Sequence, residues 1–200
     1  MQKERLTAFS DGVIAIIITI MVLEMKAPHS ADLAALVKLW PVFVSYVLSF
    51  VYIAIYWNNH HHLLATADHV TGGVLWANMH LLFWMSLIPF ATAWMGENQF
   101  ARLPTALYGV TLLGPAVAYF ILQHYILRAH GPHSVLARAL GADLKGKASV
   151  VAYLCAIPLA FVHQALAAVI YVGVALIWLV PDRRIERTLH DVEHKRGKAP

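Results

Sequence analysis

Residues 5–26 read RLTAFSDGVIAIIITIMVLEMK. The run is apolar and long enough for a membrane-spanning helix, and Arg5, Ser10 and Asp11 sit near its N-terminal end. Ionisable groups at the edge of a span are costly and mark a partner or a function. Gly12, Ile16, Thr19, Ile20 and Leu23 follow the i, i+4, i+7, i+8, i+11 spacing of one helical stripe. A stripe of small, apolar and hydroxyl residues without charge suits a helix packed around a narrow path. The same pattern also suits ordinary packing against lipid or protein, and periodicity alone leaves both open.

The rest of the chain agrees with a membrane setting. Of 200 residues, 60% are hydrophobic and only 13% are charged, with a mean hydropathy of +0.62. A soluble domain is about 45–50% apolar and about 25% charged. The one cysteine, Cys155, lies in an apolar run, so no disulfide forms within the chain. The net charge of +4 fits basic loops at a cytoplasmic membrane face, and nucleic acid is not an expected partner.

Six spans are expected: about Leu6 to Met25, Leu36 to Trp57, Val74 to Met95 and Leu103 to Leu127, then two in the stretch from Lys147 to Val180. That last stretch is too long for one span of roughly 20 residues, and its weak point, His163-Gln164, predicts a tight turn. One long tilted helix is the competing reading. Pro41, Pro89, Pro115 and Pro158 lie in or near spans, where membrane helices tolerate proline. Six spans put Lys3, Arg5 and ten of the thirteen later basic residues, including Arg128, Lys145 and Arg183, on one side; only Lys26, Lys38 and Arg102 face the other. The split is 12 to 3, which by the positive-inside rule places both termini in the cytoplasm of a multi-pass inner-membrane protein. Residues 1–181 form one transmembrane domain and residues 182–200 a charged cytoplasmic tail. The N-terminus is not expected to be a cleaved signal, because Asp11 heads the apolar stretch and MKAPHSA is a poor cleavage site.

Other motifs carry alternatives. Arg5, Ser10 and Asp11 do not share the stripe cleanly, and a hydrogen-bonded knot with Trp57, His60, His61 and Asn78 is expected at similar depth. In a functional version, the knot couples a gate to packing and Asp11 concentrates cations at the inner mouth. Asn58-Asn59-His60-His61-His62 invites a metal reading, but adjacent side chains on a helix diverge by about 100°, so one copy offers poor tetrahedral ligands. Glu24 and Lys26 close the first span as an attractor of cations or as a solvated pair. The six tryptophans read as interfacial anchors. No nucleophile–base pair, phosphate loop or cysteine pair points to an enzyme.

The pattern Arg5, Phe9-Ser10-Asp11, continued by Gly12-Val13, Ala15-Ile16, Thr19 and Leu23-Glu24, resembles the first span of the transmembrane protein 175 family of potassium channels, in its prokaryotic six-span form. Trp57 with His60-His61, and Asn78 with Leu87-x-Pro89-Phe90, extend the resemblance to spans two and three. It implies an all-α membrane protein of six transmembrane helices per chain, assembled as a homotetramer with the first helices lining a central pore. It further implies Ile16 as the narrowest point, with Ile20 and Leu23 further out and Thr19 as a polar ring where a permeant potassium ion would pass. Partners are then the bilayer and monovalent cations, with no cofactor. A ring of apolar side chains cannot replace a hydration shell; it gates by dewetting. The alternative is a proton-linked secondary cation transporter using Asp11 and the histidines, although the chain has no charged residue at mid-span. A membrane enzyme or metal scaffold on His60 to His62 is a third reading.

Overall fold

The computed structural model describes residues 2–131, 134, 137 and 143–179, and these are all-helical apart from their connections. In chain order, α1 spans Lys3–Leu23, α2 Leu33–Val37, α3 Trp40–Ala65, α4 Gly72–Ser86, α5 Ile88–Glu97, α6 Arg102–His130, α7 Leu144–Val162 and α8 Gln164–Leu179. Five stretches are long and apolar enough to cross a bilayer: α1, α3, α4 with α5 (Gly72–Glu97), α6 and α7. The helix expected as a sixth span, α8, has 16 described residues and is shorter than these. The expected tail, residues 182–200, lies outside the described residues.

The chain breaks at His163, whose backbone is extended, and α7 and α8 pack back against each other. A single long helix is therefore excluded. Two expectations about boundaries are corrected. The second span does not end at Trp57: α3 continues to Ala65 and carries the whole Asn58–His62 run. Polar residues are held in the helix there because they find partners, with Asn59 Nδ2 donating to the Ile55 carbonyl at 2.8 Å and His60 reaching across to Asn78. The third span is not one continuous helix; it is interrupted at Leu87, where Pro89 occupies the first turn of α5. Proline has no N–H to continue the ladder but is tolerated in a first turn.

Caps and small residues account for much of the local geometry. The Thr71 hydroxyl accepts from the Val74 amide to start α4, and the Asp143 carboxylate accepts from the Gly146 amide to start α7. Helices close on one another where glycine removes a side chain, as expected between membrane helices. Gly114 of α6 lies against the Trp84 ring, and Gly109 of α6 against the Tyr171 hydroxyl of α8. At Gly96 of α5 a methyl group would come within 2.7 Å of the Val42 Cα, so the backbones of α3 and α5 approach closely there. Trp84 is thus a packing residue rather than an interfacial anchor, whereas Trp40, Trp57 and Trp76 are exposed.

Candidate functional site

Helix α1 has two faces. Leu6, Ser10, Ile14, Ile17 and Met21 recur at three- and four-residue spacing and are buried. Their apolar members pack with Val74, Leu81 and Met85 of α4, Ile53 and Leu63 of α3, and Ile88 of α5. The opposite face is the stripe Gly12, Ile16, Thr19, Ile20 and Leu23, and every member is exposed on the protomer. Ile16 is 58% exposed and Leu23 77% exposed, unusual for such side chains unless lipid or another copy covers them. The Thr19 hydroxyl donates to the Ile16 carbonyl at 2.9 Å, so what it turns outward is oxygen lone pairs. That is an acceptor surface, the kind a cation uses.

The buried face carries a polar relay whose proton directions can be assigned. Ser10 Oγ donates to the Leu6 carbonyl at 2.9 Å, so it accepts from Asn78 Nδ2, also at 2.9 Å. That orients the Asn78 amide with its oxygen toward His60, 2.6 Å from Nε2. An amide oxygen only accepts, so His60 Nε2 carries the proton. All three side chains are fully buried. His60 Nδ1 is then buried with no hydrogen-bond partner. Nearby, the Trp57 indole N–H donates to Asp11 Oδ1 at 3.0 Å, and Lys3 Nζ donates to the Ala65 carbonyl at 3.0 Å.

The expected knot is therefore brought together in part. Ser10, Asn78 and His60 form its buried centre, and Asp11 with Trp57 a second, more exposed link. Arg5, Phe9 and His61 are exposed on the protomer and join neither. Adjacent helical positions diverge by about 100°, so Ser10 buries while Phe9 turns out. His61 lies between neighbouring rings instead, with centroids 6.1 Å from Trp57, tilted, and 5.5 Å from His62, edge to face. Among the described residues no three His, Cys, Asp or Glu converge on one point. At the other end of α1, Lys26 pairs with Glu97 at 3.6 Å and not with Glu24 as the sequence suggested. At 82% and 48% side-chain exposure this pair contributes little.

A second polar network was not foreseen. Thr92 Oγ1 donates to the Ile88 carbonyl at 2.7 Å, so it accepts from Ser49 Oγ at 2.7 Å, and Ser49 in turn accepts from the Tyr108 hydroxyl at 2.9 Å. Beside it, Tyr52 donates to the Tyr171 carbonyl at 2.6 Å and Tyr171 to the Thr105 carbonyl at 3.1 Å. These groups tie α3 to α5, α6 and α8. The signal available was the run Ser45, Ser49, Tyr52, Tyr56, a polar stripe at helical spacing along α3.

The architecture is that of a multi-pass membrane protein, with one helix presenting a charge-free stripe left exposed by the described residues of the protomer. The family model for the endosomal/lysosomal potassium channel TMEM175 matches residues 5–89. A Chryseobacterium sp. (strain P1-3) protein named potassium channel HX13_20290 is 50% identical over 191 residues, covering 96% of this chain and all of the relative. A Streptomyces collinus protein named potassium channel B446_29190 is 30% identical over 135 residues, 64% of this chain and 66% of that one. The crystal structure of a lysosomal potassium-selective channel TMEM175 homolog from Chamaesiphon minutus superposes with a TM-score of 0.79 at 27% identity, covering 90% of this chain and 97% of that chain. The chain belongs to the TMEM175 family, a family of membrane ion channels and not of enzymes.

Proposed function

We propose that this chain forms a homotetrameric, potassium-permeable cation channel that conducts passively across the inner membrane. Each protomer contributes six spans, with both termini in the cytoplasm, residues 1–181 as the channel domain and residues 182–200 as a charged tail. Four α1 helices surround the path. Ile16, with Ile20 and Leu23 beyond it, forms a hydrophobic constriction, and Thr19 offers a ring of oxygens. One helix cannot enclose a path, so closed symmetry is required. The observation that carries this reading is the exposure of the whole Gly12–Leu23 stripe on a helix whose other face is anchored in the protomer. The names of the relatives point the same way.

The constriction would act through dewetting, and its selectivity for potassium over sodium would be modest without a carbonyl cage. Potassium flux into liposomes, wild type beside Ile16→Asn, tests it. The expected outcome is that wild type conducts down the potassium gradient without a proton gradient, and that Asn at position 16 raises flux and reduces the preference over sodium. A barrier lowered by only about 1.4 kcal/mol gives about tenfold more flux. Flux that requires an opposing proton gradient, or that ignores position 16, would replace the channel with the transporter.

A further inference from the structure

We propose that a cavity between α3, α6, α7 and α8 binds a small organic ammonium group, such as a primary alkylamine head. The cavity measures about 50 Å³ and is lined by Tyr56, Tyr119, Phe120, Tyr153, Trp178 and Asp143 among others. A water occupies roughly 10–15 Å³ on this measure, so the space holds a few waters or one ammonium head.

Several donors of the wall are engaged elsewhere. Tyr119 donates to the Asn59 carbonyl at 3.1 Å, Trp178 Nε1 to Ser149 Oγ at 2.8 Å, Ser149 to the Lys145 carbonyl at 2.9 Å, and Asn59 to the Ile55 carbonyl at 2.8 Å. What remains toward the space is aromatic surface, oxygen lone pairs and the Tyr56 hydroxyl. Such a wall suits a cation that brings its own N–H donors. Tyr56 and Tyr119 stand edge to face at 6.4 Å, two sides of an aromatic enclosure.

Asp143 is the one charged side chain among the lining residues, and it forms no ion pair among the described residues. One carboxylate oxygen caps α7 through the Gly146 amide at 3.3 Å. The helix terminus offers roughly half a positive charge against a full negative one, so the cap leaves part of the carboxylate's charge uncompensated. The ammonium would donate to the other Asp143 oxygen and to Tyr56, with its alkyl carbons against the rings.

The test uses the purified full chain in detergent, titrated calorimetrically with ethanolammonium chloride against potassium chloride at equal ionic strength. Saturable binding to wild type is expected, about tenfold weaker in Asp143→Asn, which keeps the capping oxygen but loses the charge. Tyr56→Phe, which keeps the ring, is expected to weaken it a few fold. Equal melting temperatures without ligand show that both variants fold. A variant that melts lower is replaced by potassium competition on wild type, where displacement of ethanolammonium by equimolar potassium overturns the proposal. No saturable response, or equal affinity in Asp143→Asn, also overturns it. In nanodiscs, loss of the response when the lipid is phosphatidylethanolamine identifies the occupant as a lipid headgroup; survival of the response identifies a soluble amine. Neither result depends on ion conduction, so the channel reading stands or falls separately.

Discussion

The two buried polar networks differ in how they end. The Tyr108–Ser49–Thr92 chain runs in one direction and closes on a backbone carbonyl, with each hydroxyl proton accepted. The His60–Asn78–Ser10 relay also closes on a carbonyl at one end, but at the other it stops at a histidine nitrogen with no partner. Helix α3 contributes to both. The first network knits α3, α5 and α6 into a scaffold. The second is the buried polar attachment of α1. Among the described residues, the side-chain hydrogen bonds between α1 and other elements, at Lys3, Ser10 and Asp11, lie in its first half. From Gly12 onward the contacts of α1 with the other described residues are apolar, since the Thr19 bond stays within the helix. Interhelical hydrogen bonds in membranes average about 0.6 kcal/mol, so three contribute only about 2 kcal/mol. The scaffold and the candidate conduction helix are thus built to different tightness.

Substitutions at the two regions should separate along that line. The largest effect is expected at Gly96→Ala, which drives a methyl into the Val42 backbone and Ser45 hydroxyl of the scaffold. Overpacking against backbone costs about 3 kcal/mol, read as lost stability in detergent unfolding; an unchanged midpoint would show that α3 and α5 can part freely. Asn78→Leu comes next. It strips His60 Nε2 of its acceptor and leaves both ring nitrogens unpartnered, for about 2 kcal/mol. Its loss should appear first as faster amide exchange in residues 3–11, whereas Gly96→Ala should loosen α5. Uniform loosening in both variants would erase the distinction between regions. Tyr108→Phe removes one donor while Ser49 keeps its own proton on Thr92, so about 1 kcal/mol is expected from the same unfolding measurement. Lys26→Gln should shift stability by less than about 0.5 kcal/mol, because the Glu97 pair is exposed, and raised salt should not change the result.

The parts of this fold that could be read in advance are those set by length and periodicity. Helix α1 followed from an apolar run with one buried and one uncharged face. The turn at His163 followed because a polar His-Gln pair interrupts an apolar stretch too long for a single crossing. What escaped was decided by partners far away in sequence. Nothing local says that His60 will stay helical; Asn78 of α4 supplies its acceptor. The break before α5 was hidden because proline is tolerated in membrane helices, and only the packing shows that Pro89 opens a new helix. Of the candidate site, the stripe on α1 was legible from spacing. Which members of the Arg5–Asp11 motif would bury was not, since that depends on the side of the helix that α4 covers.

Cys155 is the chain's single cysteine and lies on the outer surface of α7, clear of both networks. Nature has left one thiol per chain in a place where a dye or spin label disturbs neither the scaffold nor α1. Labelled in detergent and reconstituted at low density, each particle would bleach in as many steps as it has subunits. The stoichiometry of the assembly can therefore be counted optically on the unaltered sequence.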